Sequence, residues 1–205
     1  MKFLHIVSAA AFAVLAAACD NRPDINGAWT STPTGISQEI AVADQATCVL
    51  TIDFDAPKGA TGGSVMLSAV VDGTQPMPAG SLNGFDAPYE ISVAATASIT
   101  GKWSYEKPDD RDDDDIVIFL DNNTLQVNID PNGVTYSQNL LTGAQQPAVD
   151  SLTTATVDRW HSDVRRAVTT QFFRYAKMDD IKIAGDILSA EVADRDITFH
   201  RTSAQ

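Results

Sequence analysis

Apolar and polar residues alternate with a period of two through much of this chain after residue 26, the signature of half-buried β-strands. The longest run is Glu90 to Thr100, where Ile91, Val93, Ala95, Ala97 and Ile99 share one face and Ser92, Ala94, Thr96 and Ser98 the other. Cys48, Leu50, Ile52 and Phe54 alternate likewise within residues 46–54, and Val65, Leu67, Ala69 and Val71 within residues 64–71. Shorter runs begin at Gly27, span Ile36 to Val42, and include Leu125 to Ile129. Ile116 to Leu120 is apolar throughout and predicts a central strand. Asp130-Pro131-Asn132-Gly133 predicts a hairpin that returns Val134–Ser137 beside Leu125–Ile129. Three more strands are expected at Asp180–Ile183, Ile187–Val192 and Asp196–Arg201, with turns at Gly185-Asp186 and Asp194-Arg195.

One segment changes period. Val157, Trp160, Val164, Val168, Phe172 and Tyr175 recur at helical spacing and predict one amphipathic helix over residues 154–177, its stripe turned toward the core. Asp158 near its start and Arg174 and Lys177 near its end suit the helix dipole. Residues 72–88 and 141–150 are expected to be loops. The first is rich in Gly and Pro, with Met77, Leu82 and Phe85 placed either to cover a cavity mouth or to tuck onto the surface. The expected fold is therefore mainly β: an antiparallel meander, barrel or sandwich, with one amphipathic helix in the C-terminal third lying across an open end or sheet face.

Composition supports strands and narrows the partners. Only Glu39, Glu90, Glu106 and Glu191 are Glu among the 27 acidic residues; the rest are Asp, which favours turns and caps. A net charge of −13 repels phosphate backbones, so nucleic-acid binding is not expected.

The N-terminus carries a different message. Lys2 precedes an apolar run from Phe3 to Ala13, and Val14-Leu15-Ala16-Ala17-Ala18 leads into Cys19. This resembles a bacterial lipoprotein lipobox, with Ala16 at the position three before the cysteine, where Leu is usual, and Leu15 one residue earlier. The resemblance implies cleavage before Cys19, acylation of its sulfur and amine, and a lipid anchor in a membrane of the bacterial cell envelope. Asp20 after the cysteine leaves inner membrane, outer membrane and cell surface all open. On this reading residues 1–18 are a signal peptide, 19–25 a lipidated tether and 26–205 one β-rich domain. Loss of Lys2 moves the mature charge from −13 to −14. Cys48, the second of two cysteines, then has no disulfide partner within the chain and is expected to be a buried thiol on a strand's apolar face.

Candidate chemistry is sparse. Asp109, Asp110, Asp112, Asp113, Asp114 and Asp115 surround Arg111 in an acidic run that has the carboxylates to hold calcium, but not the spacing of a helix-flanked calcium loop; a solvated hairpin loop is the expected state. His161 and His200 sit in no catalytic or zinc-ligand pattern, and no phosphate-binding glycine motif occurs, so neither an enzyme nor a resident cofactor is expected. Gly27-Ala28-Trp29 near the start of the domain, repeated as Gly101-Lys102-Trp103, resembles the Gly-x-Trp of lipocalins. The closing pair Ile183–Leu188 and Asp196–Arg201 is similar to the final hairpin of lipocalin-like bacterial lipoproteins. That resemblance implies a barrel closed at one end by Trp29 beneath Arg201 or Arg195. True lipocalins place their helix after the barrel strands, whereas strands are expected here after residue 177. Two roles follow: a carrier of a small apolar ligand, lined by Trp29, Val93, Ala95 and Ala97, or an accessory module docking another envelope protein.

Overall fold

The computed structural model describes residues 22–110 and 114–202; Cys19, the segment before it and Arg111–Asp113 of the acidic run lie outside the described residues. The alternating runs become β1 (Gly27–Ser31), β2 (Thr34–Gly35), β3 (Gln45–Asp55), β4 (Gly62–Met77), β5 (Tyr89–Tyr105), β6 (Ile116–Leu120), β7 (Gln126–Ile129) and β8 (Thr135–Tyr136). Helix α1 (Gln146–Arg174) follows, then β9 (Lys177–Ala184), β10 (Ile187–Glu191) and β11 (Asp196–Arg201). The sheet is antiparallel and runs β1-β11-β10-β9-β6-β5-β4-β3, and a β1–β3 pairing closes it into an eight-stranded barrel. Barrel rather than sandwich is thus the outcome, in a lipocalin-like arrangement. An eight-stranded barrel is wide enough for its own side chains to fill or for one small ligand to enter.

Registers divide the barrel into two ends. The tether end carries residues 22–26, the β3–β4 turn, the β5–β6 loop and the Gly185 turn; Tyr105 Oη donates to Pro23 O at 2.8 Å there. The helix end carries the β4–β5 loop, the β10–β11 turn and α1.

Several expectations are corrected. Residues 36–42 form no strand: Ile36 and Ile40 are fully buried at i,i+4 spacing, and Glu39 N–H and Ala43 N–H bond back to Ile36 O and Ile40 O. The expected loop at 72–88 shrinks, because β4 runs on to Met77 and pairs with β5 as far as Met77↔Tyr89. In the remainder Leu82 and Phe85 are buried and bridge to each other. The predicted hairpin at Asp130–Gly133 is not one. β7 and β8 both pair with β5, Ile129 opposite Ala95 and Thr135 opposite Ser92, so the chain continues in one direction. β6, β7 and β8 are one strand interrupted by two short 3-10 turns. Each turn is capped by an Asp side chain: Asp121 Oδ1 accepts from Asn123 N–H at 3.0 Å and Asp130 Oδ1 from Asn132 N–H at 2.9 Å.

Helix α1 begins eight residues earlier than residue 154, with Pro in its first turn, where the missing N–H costs nothing. It also ends at Arg174, three residues short of the expected boundary, because Lys177 opens β9. Asp158 therefore lies inside the helix rather than in its first turn. Trp160, Val164, Val168 and Phe172 are all fully buried, as the helical stripe predicts.

Candidate functional site

The four residues expected to line a ligand cavity all point inward. Val93, Ala95 and Ala97 alternate on β5 between Ile91 and Ile99, and they and Trp29 are buried in a single core. Helix α1 shares that core at the helix end. Its Trp160 ring lies over Gly73 of β4, where an added Cβ would come within 2.7 Å of the ring, so glycine makes room for the plug. Trp160 Nε1 donates to Gln75 Oε1 at 3.1 Å, leaving no orphaned polar group on the indole. Asp163 ties the other side: it accepts from Ala41 N–H at 3.1 Å and from Arg166 Nη2 at 2.9 Å, strapping residues 36–44 onto the helix. Cys48 lies in the same interior, where burial, with Glu39 adding repulsion, pushes its thiol up to about 11. It is protonated and inert at neutral pH.

The tether end is built differently. Arg201, not Arg195, covers Trp29: its guanidinium carbon is 4.1 Å from the ring centroid and its Nη1 donates to Asn26 O at 2.9 Å. Trp29 Nε1 donates to Ile25 O at 2.8 Å. Beside this lid, Phe54, Trp103 and Tyr105 meet edge to face, with centroids 5.8 and 5.6 Å apart. A cleft of about 170 Å³ opens against Trp103 and Tyr105, bounded by Arg22–Asn26 and by Ala56–Ala60 of the β3–β4 turn. Trp103 and Asn26 both border this cleft, and Trp103 Nε1 and Asn26 Oδ1 are each closed off from solvent without a hydrogen-bond partner.

Part of the acidic run is also brought together here. Carboxylate oxygens of Asp114, Asp115 and Asp180 lie within 4.8 Å of one another, as do those of Glu106, Asp115 and Asp179. Lys177 already occupies the second group, with Nζ 3.1 Å from both Glu106 Oε2 and Asp179 Oδ1; those bonds push its ammonium up to about 12. In the first group Asp115 Oδ1 accepts from Asp180 N–H at 2.9 Å, and burial, with Asp115 and Asp180 alongside, raises Asp114. Asp109 and Asp110 remain in the exposed loop, and Asp112 and Asp113 lie outside the described residues. The groups draw on β9, which no motif in the run itself foretells.

Among the described residues no helix is long and apolar enough to cross a membrane. No protein-family model, curated protein or solved structure matches the chain, so its class rests on what the fold defines: a closed antiparallel barrel, lipocalin-like, with its own helix seated in one end. Sequence reasoning placed Trp29 and the β5 positions correctly as inward-facing. It did not foresee the unpartnered Trp103 Nε1 and Asn26 Oδ1, although the repeated Gly-x-Trp had already singled out Trp103.

Proposed function

We propose that this protein is an envelope lipoprotein, anchored to a membrane through Cys19, whose filled barrel serves as an accessory module docking a protein partner. Two or three acyl chains, at about 0.8 kcal/mol per buried methylene, would hold it on the bilayer. The observation that carries the docking reading is the seat of α1: Trp160, Val164, Val168 and Phe172 occupy, fully buried, space that a carried ligand would need. A partner with a basic face suits a chain of 27 acidic and 14 basic residues. The carrier reading stands second. Ala95 and Ala97 favour it, since small inward side chains leave room for an apolar ligand once the helix moves aside.

The test compares the full chain with Cys19→Ala in a bacterial host. The full chain is expected in the membrane fraction and the variant in the soluble fraction; a soluble full chain removes the anchor. Solvent extraction of the purified variant is expected to release no stoichiometric apolar molecule, while crosslinking in cells captures a basic envelope protein. A stoichiometric apolar molecule overturns docking in favour of carriage.

A further inference from the structure

Residues 22–26 are fastened to the tether end of the barrel. The Arg22 guanidinium carbon lies 4.7 Å from the Tyr105 ring centroid, and Arg22 Nη1 donates to Pro108 O at 3.2 Å. Tyr105 Oη donates to Pro23 O at 2.8 Å, Ile25 is buried, and Arg201 Nη1 donates to Asn26 O at 2.9 Å. Cys19 stands three residues before Arg22. A fully extended chain covers at most about 3.6 Å per residue, so the two lie no more than roughly 11 Å apart. The opposite end is much farther off. The 17 residues of β5, at about 3.3 Å each and tilted about 40°, separate the two ends by roughly 40 Å. An acylated Cys19 therefore brings one end of the barrel, and not the other, to the bilayer surface.

We propose that the tether end is a membrane-facing surface, and that it fits a headgroup layer of zwitterionic, ammonium-bearing lipid. The proposal rests on the lipid anchor at Cys19 and adds the face that the anchor brings down. Charge selects the lipid. The β5–β6 loop is held beside Arg22 through Pro108, and its sequence from Glu106 to Asp115 has seven acidic and two basic residues. Anionic headgroups repel carboxylates brought this near, whereas the ammonium groups of phosphatidylethanolamine donate to them. The same orientation turns α1 and the β4–β5 loop away from the bilayer, so a docked protein meets the helix end.

The experiment places a fluorophore on the full chain, at Lys58→Cys in the β3–β4 turn or at Leu141→Cys at the helix end. Leu141 lies two residues before Gly143, which packs on Gly84 of the β4–β5 loop. Both positions are exposed, so neither label enters the core, and Cys48 stays buried and unlabelled. Each protein is held in nanodiscs of phosphatidylcholine and phosphatidylethanolamine in which some headgroups carry a nitroxide, a quencher of fluorophores close to the surface. Intact mass first establishes the acyl chains on Cys19. Quenching at position 58 is expected to exceed that at position 141 several-fold, and to fall when phosphatidylglycerol replaces phosphatidylethanolamine. An acylated protein quenched equally at both positions, or more at 141, overturns the membrane face and leaves the anchor standing. Quenching at 58 that stays level or rises with phosphatidylglycerol overturns the choice of lipid. An unacylated mass removes the anchor, and the face with it.

Discussion

The two ends of the barrel solve one problem in opposite ways. Each presents a tryptophan at the edge of the core, Trp160 at the helix end and Trp103 at the tether end, and both are buried. At the helix end a long helix lowers Trp160 onto a glycine and gives its N–H to Gln75. At the tether end a turn and a short N-terminal segment surround Trp103 and leave its N–H unmet. The first end meets the polar group of its tryptophan within the chain, and the second does not. A buried donor that finds a partner costs little, whereas one left unmade costs about 1–3 kcal/mol, so the two tryptophans contribute differently to stability.

Substitutions break this comparison in order of size. Trp160→Ala removes the plug and should cost about 3–5 kcal/mol in urea denaturation, as large-to-small core changes do. The paired substitutions Trp160→Phe and Trp103→Phe sharpen it. The first orphans Gln75 Oε1 and should cost about 1–3 kcal/mol, whereas the second deletes a donor that had no partner and should lie within about 1 kcal/mol of the parent. Equal losses would mean that the two indoles are equally satisfied. Arg201→Met strips the guanidinium from Trp29 and its bond to Asn26 O, with an expected loss of about 1–2 kcal/mol.

A pH series tests how dry the interior is. The Cys48 thiol is raised in the folded state from its ordinary 9.0 to about 11. An acid whose folded value is raised favours folding while protonated. Its contribution is present in full below pH 9.0 and is lost as pH rises toward 11. Cys48→Ser should flatten that part of the stability profile. An aromatic disulfide reagent at pH 8 should label Cys48 only on unfolding; prompt labelling would mean an open interior. The smallest effect is expected from calcium. With Lys177 held between Glu106 and Asp179, millimolar calcium should leave the melting temperature unchanged. A clear rise, lost in Asp115→Asn, would place a cation among Asp114, Asp115 and Asp180.

Strand alternation made most of the barrel legible, because a period of two over β3, β4 and β5 has no other physical reading. The same sequence misled where one local chemistry serves two geometries. Asp121-Asn122-Asn123 and Asp130-Pro131-Asn132 carry turn residues, and both do cap turns, yet neither reverses the chain. An Asp that accepts from the N–H two residues on stabilises a local bend, and only pairing with β5 decides whether the strand resumes. Ile36 to Val42 misled by composition, since its buried positions are four apart and not two. The helix began eight residues before the expected start because Pro147 near its first turn reads as a loop signal, although Val149 is buried and Ala148 and Leu152 pack on the core. At the site, the inward positions of β5 were readable from alternation. The tether-end cleft was not, because residues 22–26, residues 56–60, Trp103 and Tyr105, far apart in the chain, meet only in the fold.

Hydrogen exchange at the three indole N–H groups tests the contrast between the ends most directly. Trp29 and Trp160, bonded to Ile25 O and Gln75 Oε1, should exchange slowly, on the timescale of global unfolding, while Trp103, buried with no hydrogen bond to break, should exchange faster. Exchange at Trp160 as fast as at Trp103 would contradict the account: the helix would then be a lid that opens, and the barrel interior would be accessible to a ligand after all.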